Sequence, residues 1–557
     1  MRITGTGIGQ GVATGPVARM PEPLATPSDG PSTLSADEEK ARTVASLARV
    51  ARGLEERGAA AGGTARDVLE AQAMMAEDPA LAESIDAILA QGKTAERAVS
   101  EAFAVFRDQL AAMGGYLGER AADLDDVAQR VIADLLGVPA PGVPELDEPF
   151  VLVARDLAPA DTALLDLEKV LALVTSDGGP TSHTAILARE KSIVAIVGAA
   201  DALSIAEGTT VVVDAAAGVV VADASADEVA AAEARIAERA ALVDAPATPG
   251  ALADGTPVPL LANLGSSKAA QAAADGGAEG VGLFRTEFLF LDAGGSAPTI
   301  EEQRAHYVEL LQAFPGKKVV VRLLDAGADK PLAFLNDAHE ENPALGLRGL
   351  RALRVSEDIL REQLTALAEA DTATSADLWV MAPMVSTVEE TEYIVGLSRE
   401  LGLKTAGIMV EVPSIALMAD KVFETADFAS IGTNDLTQYT LAADRLLGSV
   451  ASFQDPWHPA VLRLVGEVGA AGGRADKPVG ICGEAAADPL LAVVLVGLGA
   501  TTLSMSPSAL ADVRASLLRY TLDEARSLAE TALAASGAAE ARAAVTAAVE
   551  SLKETHS

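Results

Sequence analysis

Two hydrophobic periodicities alternate along this chain, and the places where one gives way to the other divide it. The opening ITGTGIGQGVATGPVARM is rich in glycine and β-branched residues and reads as strand and turn, closed by the Pro/Ser/Gly-rich break PEPLATPSDGPST. From Ala36 to Leu136 apolar residues recur at helical spacing, as at Val44, Leu47, Val50 and Leu54 and again at Val99, Phe103 and Phe106, and Pro79 is the only proline. This predicts an all-helical unit. After APGVPELDEPF short β-branched runs return: FVLVA, VLALVT, IVAIVG, TTVVVD and GVVVAD. Like strand material on both sides of the helical stretch predicts one α/β domain, residues 1–35 and 141–225, interrupted by a helical subdomain, residues 36–140.

The stretch ADEVAAAEARIAERAALVDA has neither glycine nor proline and predicts a solvated linker helix within residues 226–246. Beyond it eight short apolar runs alternate with helical segments: PLLANLG, GVGLFR, VVVRLL, LWVMAPMV, AGIMVEV, FASIGTND, PVGICGE and TTLSMS. Eight such units predict a (β/α)₈ TIM barrel over residues 247–557, with a doubly wound sheet as the other arrangement this alternation allows.

Composition narrows the function. At 557 residues the chain should divide into about three domains, and with only 3% aromatic residues their cores must be built from alanine, valine and leucine. The formal charge of −38, from 42 basic and 80 acidic residues, opposes nonspecific binding to nucleic acid or anionic lipid. It also repels small anions, so a phosphorylated substrate would need a local cluster of arginines. One cysteine, no export signal and no apolar run of roughly 18 residues lead us to expect a soluble cytoplasmic protein without disulfides.

The first candidate for the working atom is His183, in GGPTSHTAILAR. The apolar run VLALVTSD leads into Gly178 and Gly179, which permit a sharp turn, and Thr181 or Ser182 can cap the helix that follows. At a helix start the positive dipole end disfavours an imidazolium, leaving a neutral nucleophilic nitrogen, and free N–H groups can hold a phosphoryl group once attached. A lone histidine beside a tight turn has a plainer explanation as packing, and the barrel decides against it.

Active sites of such barrels lie at the C-terminal strand ends, and here those ends carry anion and metal chemistry. Arg285 closes the second run, Arg322 lies near the end of the third, Glu411 ends the fifth, Asn434 and Asp435 the sixth, and Cys482 the seventh; Arg445 is expected in the helix after the sixth. Three arginines suit a phosphate plus a carboxylate, and Glu411 and Asp435 are hard oxygen ligands for Mg²⁺. A histidine in one domain and an anion site in another require the histidine to travel.

These strings resemble enzyme I of the bacterial phosphoenolpyruvate-dependent sugar phosphotransferase system over the full length of the chain. GGPTSHTAILAR is similar to the family's active-site histidine motif. GLFRTEFLFLD, VVVRLLDAGADKP, NPALGLRGLR, GIMVEVPSIALMAD, SIGTNDLTQYTLAADR and VGICGEAAADP resemble its phosphoenolpyruvate-barrel motifs, and GERAADLDDVAQRVIADLLG resembles the end of its carrier-binding helices. The resemblance implies that His183 is phosphorylated through Nε2, with Thr162 as its hydrogen-bond neighbour. It implies that Arg285, Arg322, Asn434, Asp435 and Arg445 bind phosphoenolpyruvate, that Glu411 and Asp435 bind Mg²⁺, and that Cys482 protonates the enolate carbon as pyruvate forms. The implied partners are the histidine phosphocarrier HPr and, through the barrel, a second copy of the chain. Met74 and Met75 resemble part of the carrier-docking helix.

Two positions depart from the family pattern: Pro180 stands where many relatives have arginine, and Ala328 interrupts a double glycine. Two other functions remain in play at this point. Phosphoenolpyruvate synthase and pyruvate phosphate dikinase share the histidine module and the barrel but need an ATP-binding domain, for which the roughly 35 residues before the helical insert leave little room. A regulator that binds without turnover is the third reading.

Overall fold

The computed structural model describes the chain apart from residues 10, 22, 23, 62, 114–120, 141, 145, 158–164, 180, 181, 192, 294, 295, 328–331, 333, 336–339, 446 and 557; for some residues inside helices, His183 among them, it describes the backbone alone. The chain forms two compact units, Met1–Ala237 and Glu238–Ser557.

In the first unit, β1 (Arg2–Thr4), β2 (Thr6–Ile8), β3 (Val12–Arg19), β4 (Phe150–Ala154), β5 (Val170–Thr175), β6 (Val194–Val197), β7 (Thr210–Asp214) and β8 (Val219–Ala222) form one sheet in the order β1-β8-β7-β3-β4-β5-β6-β2. The middle strands β3 to β6 are parallel, and the pairs toward both edges are antiparallel. Both faces are covered. Val151 and Val153 of β4 enter one core while Phe150, Leu152 and Ala154 enter another, which is why this run is hydrophobic throughout instead of alternating.

Strands β3 and β4 are neighbours, with Val17 opposite Val151, yet five helices separate them in sequence: α1 (Ala36–Ala61), α2 (Gly63–Ala76), α3 (Pro79–Leu89), α4 (Ala95–Met113) and α5 (Ala121–Leu136). The helical subdomain is therefore an insertion into the α/β domain. Leu47, Leu54, Val99 and Phe103 lie in its core, as their spacing predicts, but Val44 is 55% exposed. Thr43 takes the buried position one residue earlier, its hydroxyl donating to the Glu39 carbonyl at 2.9 Å. The linker forms as α7 (Ala226–Asp244).

In the second unit, β9 (Leu260–Leu264), β10 (Val281–Phe284), β11 (Lys318–Arg322), β12 (Asp377–Ala382), β13 (Thr405–Val410), β14 (Ala429–Ile431), β15 (Val479–Ile481) and β16 (Thr502–Met505) close into an all-parallel barrel. The pairing of β16 with β9, Leu503 opposite Leu260, excludes the open doubly wound alternative. No described helix is long and apolar enough to cross a membrane.

The strands are shorter than the apolar runs suggested, which corrects three positions. Asn434 and Asp435 do not end a strand. β14 stops at Ile431, and both residues sit in the first turn of the helix Thr433–Leu441. Arg445 lies beyond that helix, because Ala442 takes a left-handed conformation (φ 51°) that ends it.

Candidate active site

The histidine segment is shaped by backbone geometry. Gly178 has φ +87°, and a Cβ there would stand 3.1 Å from the Ser182 hydroxyl oxygen, so the turn out of β5 needs glycine for conformation and for space. Ser182 donates its N–H to the Gly179 carbonyl at 2.9 Å, and its hydroxyl accepts from the Ala185 N–H at 3.3 Å, making it a cap for helix α6 (His183–Glu190). His183 thus opens α6. Behind it the Thr184 hydroxyl, fully buried, donates to Asp156 at 2.8 Å and ties the first turn to the loop after β4. Thr162, Pro180, Thr181 and Ala328 lie outside the described residues.

At the C-terminal ends of the barrel strands the sequence candidates meet a lattice of buried charge. Arg322 closes β11 and contacts Glu287 at 2.9 Å and Asp325 at 3.2 Å. Asp325 shares its two oxygens with Arg348 at 3.1 and 3.2 Å, and Arg348 spans to Asp435 at 2.8 and 3.2 Å. Arg445 reaches Asp435 at 3.4 Å. Glu411, one residue past β13, accepts the Met384 N–H at 2.6 Å, and Gly432 makes room for it, since a Cβ there would lie 3.0 Å from Oε2. Asn434 exchanges hydrogen bonds with Glu484, donating at 3.3 Å and accepting its N–H at 3.1 Å. Cys482, one residue past β15, is buried and donates to the Ile431 carbonyl at 3.5 Å.

The electrostatics follow from burial and sign. Burial pushes the Glu411 carboxyl up to about 8, helped by the negative Asp325 and Asp435. Burial acts the same way on Asp325, but Arg322 and Arg348 outweigh it and hold that carboxyl at about 2. Asp435 also ends below its ordinary value, because Arg445 and Arg348 overcome its burial. Burial raises the Cys482 thiol to about 11, so it keeps its proton at neutral pH.

Two features mark the place as built for an anion. Arg285, one residue past β10, makes no side-chain hydrogen bond or ion pair among the described residues, although every other arginine of the cluster is held by a carboxylate. Arg322 Nε and Thr433 Oγ1 are buried without a hydrogen-bond partner among the described residues. Buried donors in this condition cost about 1–3 kcal/mol each, which a bound oxyanion would recover.

Sequence reasoning missed Arg348, Asp325 and Glu287. All three lie within the barrel motifs, but not at strand ends in the way their neighbours do. The available signal was the Arg322–Asp325 spacing. Gly349 has φ +57°, and a Cβ there would lie 3.1 Å from Asp325 Oδ1, so only glycine lets the arginine approach its carboxylate.

Three family descriptions match the chain: "PEP-utilising enzyme, N-terminal" over residues 4–120, "PEP-utilising enzyme, mobile domain" over 146–218, and "PEP-utilising enzyme, PEP-binding domain" over 238–522. The class is thus set by both units. Phosphoenolpyruvate-protein phosphotransferase of Streptomyces coelicolor is 51% identical over 97% of this chain and 98% of its own; that of Haloferax volcanii is 42% identical over 85% of each, and that of Bacillus subtilis 37% identical over 96% and 97%. The chain belongs to the phosphoenolpyruvate-protein phosphotransferase family.

Proposed function

We propose that the protein transfers the phosphoryl group of phosphoenolpyruvate to Nε2 of its own His183, releases pyruvate, and passes the group to a histidine of the phosphocarrier HPr, the first step of sugar uptake and phosphorylation. The observation that carries this reading is the uncommitted Arg285 and the orphaned Arg322 Nε beside a protonated buried thiol. Arg285, Arg322, Arg445 and Asn434 hold the phosphate and carboxylate of the substrate, the arginines bidentately and at fixed charge. His183, on the first turn of α6, takes the phosphoryl group, whose oxygens are then met by the helix N–H groups. The enolate left behind accepts the Cys482 proton at its terminal carbon, and Arg322 and Arg285 stabilise the charge until then.

The donor set suits Mg²⁺. Glu411 and Asp435 are buried hard oxygen ligands, and burial, with the negative Asp325 and Asp435 beside it, holds the Glu411 carboxyl up in a way that a bound dication would relieve. Among the described residues no three donors converge on one point, because the arginines occupy Asp435. Bound there, Mg²⁺ would supply further charge stabilisation to phosphoryl and enolate oxygens.

The inserted helices are the docking platform for HPr, where Met74 is 69% exposed and Met75 packs onto the helical core. The barrel is the surface for a homodimer, and the cytoplasm is the place of work. Incubation with labelled phosphoenolpyruvate tests the whole reading. Transfer to the chain without ATP or AMP supports it, a nucleotide requirement favours a synthase or dikinase, and no label at all favours a silent regulator. Excision of residues 36–140, with the strands checked by circular dichroism, should abolish transfer to HPr and leave autophosphorylation; full-rate transfer to HPr would remove the docking role.

A further inference from the structure

The interior of a (β/α)₈ barrel is ordinarily filled by layers of bulky branched side chains. Here Leu283, Val320, Met381, Met409 and Phe428 pack in that way around Cys482. Next to them the interior is less filled. Gly282, Gly480, Ser430, Thr502 and Ser504, together with Lys318 and the apolar Val320 and Phe428, line a cavity of about 10 Å³, roughly the room one water needs. Gly480 opens it: a Cβ there would stand 3.0 Å from Thr502 Oγ1 and 3.3 Å from Ser430 Oγ.

Both ends of this polar stripe carry a proton-holding group. At one end is Ser430, whose register partner Gly480 stands two residues before Cys482 on the neighbouring strand, so that hydroxyl and thiol both lie in the barrel interior. At the other is Lys318, the first residue of β11, at the mouth opposite the strand ends that bear the arginines. Its Nζ lies 3.7 Å from the Trp379 ring centroid and 5.6 Å from that of Phe428, and the charged group that attracts it is Asp377, its register partner on β12. Nothing in the phosphoryl-transfer chemistry uses Lys318 or Ser430, yet a buried thiol that has given its proton to carbon must regain one before the next turnover.

We propose that this proton reaches Cys482 through the barrel core, from Lys318 by way of a water in the cavity and the Ser430 hydroxyl, an inference that rests on the reading of Cys482 as the acid. The Lys318 ammonium gives a proton to the water, the water gives one to Ser430 Oγ, and the hydroxyl proton of Ser430 passes to the thiolate. One N–H bond breaks and one S–H bond forms. The neutral amine recovers its proton from solvent at its own mouth of the barrel, where Lys318 is partly exposed. Burial lowers Lys318 to about 8 and raises Cys482 to about 11, so the transfer runs downhill toward sulfur.

Rapid-quench kinetics on the full-length protein, with phosphoenolpyruvate, Mg²⁺ and excess HPr as acceptor, separate the first turnover, which spends the resident thiol proton, from later ones. Lys318→Met and Gly480→Ala should each slow the later turnovers by roughly 10²-fold or more relative to the first, the range of a lost proton-transfer group. Later turnovers at the wild-type rate in either variant, or equal slowing of both phases, overturn the relay. Cys482→Ala is the control and should lose the first turnover too. If it keeps that turnover, the acid reading itself fails and takes the relay with it.

Discussion

In the proposed reaction the α/β unit and the barrel would meet the same anion, and they are built for it by opposite means. In the barrel, formal charges do the work: Arg322, Asp325, Arg348 and Asp435 are buried and fixed to one another before any ligand arrives. In the α/β unit the work falls to backbone. His183 stands at the start of an eight-residue helix, behind a turn that requires Gly178 and a cap from Ser182. A lattice of paired charges is rigid and costly to disturb, whereas a capped helix start offers partial charges that act on a phosphoryl group without binding free anions strongly. The proposed receiving site is thus the lighter structure, as a carrier that must later give up its cargo would require.

The sharpest way to break this contrast is to remove the receiver. With phosphoenolpyruvate and Mg²⁺ we expect one acid-labile, base-stable phosphoryl group on the chain and none on His183→Ala. Equal labelling of the variant would move the assignment elsewhere. Two of the other histidines are poor substitutes: His306 is engaged with Ser267 at 3.2 Å, and His458 caps a helix by accepting the Ala460 N–H.

Next in size is Cys482→Ala, which acts on the barrel alone. Phosphorylation by phosphoenolpyruvate should fall by roughly 10²–10⁴-fold, the range for loss of a general acid, while transfer from phosphorylated His183 to HPr should be unchanged. Both half-reactions slowing together would make the cysteine a packing residue.

Two arginines sharpen the comparison within the barrel itself. Arg348→Met leaves two buried carboxylates with one arginine each, Arg322 for Asp325 and Arg445 for Asp435, and should cost about 3–5 kcal/mol of stability, read by denaturant unfolding. Arg285→Met breaks no ion pair among the described residues, so its stability should change by no more than about 0.5 kcal/mol while the KM for phosphoenolpyruvate rises. A stability loss in the second as large as in the first would mean that Arg285 is structural.

These two arginines also mark how far the sequence could be read. Periodicity placed the sheet, the inserted helices and the barrel, because each rests on apolar spacing that burial enforces, and the linker helix came from the absence of glycine and proline in a charged, Ala-rich stretch. Strand-end logic found Arg285, Arg322, Glu411 and Cys482, which lie at or one residue past the ends of β10, β11, β13 and β15. It misplaced Asn434, Asp435 and Arg445, since an apolar run does not reveal where a strand stops and a helix begins. It gave no hint of Arg348, whose partners lie 23 and 87 residues away in the chain. Long-range ion pairs leave no periodic trace, and a glycine that admits one looks like any other turn glycine.

The smallest expected effect concerns Glu411 and follows from the sign of its shift. Its carboxyl sits at about 8 in the folded protein against an ordinary value of 4.5, chiefly through burial and then through Asp325 and Asp435. Between those values the folded chain holds a proton that the unfolded chain has lost. The contribution to stability is therefore fully present below pH 4.5 and is lost as the pH rises through about 8. Without metal, the melting temperature of the wild type should decline over this window more steeply than that of Glu411→Gln, which has no proton to lose. Mg²⁺ needs the carboxylate form, so its binding should release a proton near neutral pH and should stabilise the wild type more as the pH rises. Calorimetry in buffers of different ionisation enthalpy counts that proton. Release of the same number of protons by wild type and Glu411→Gln would remove Glu411 from the metal site and leave its high value to burial and its acidic neighbours alone.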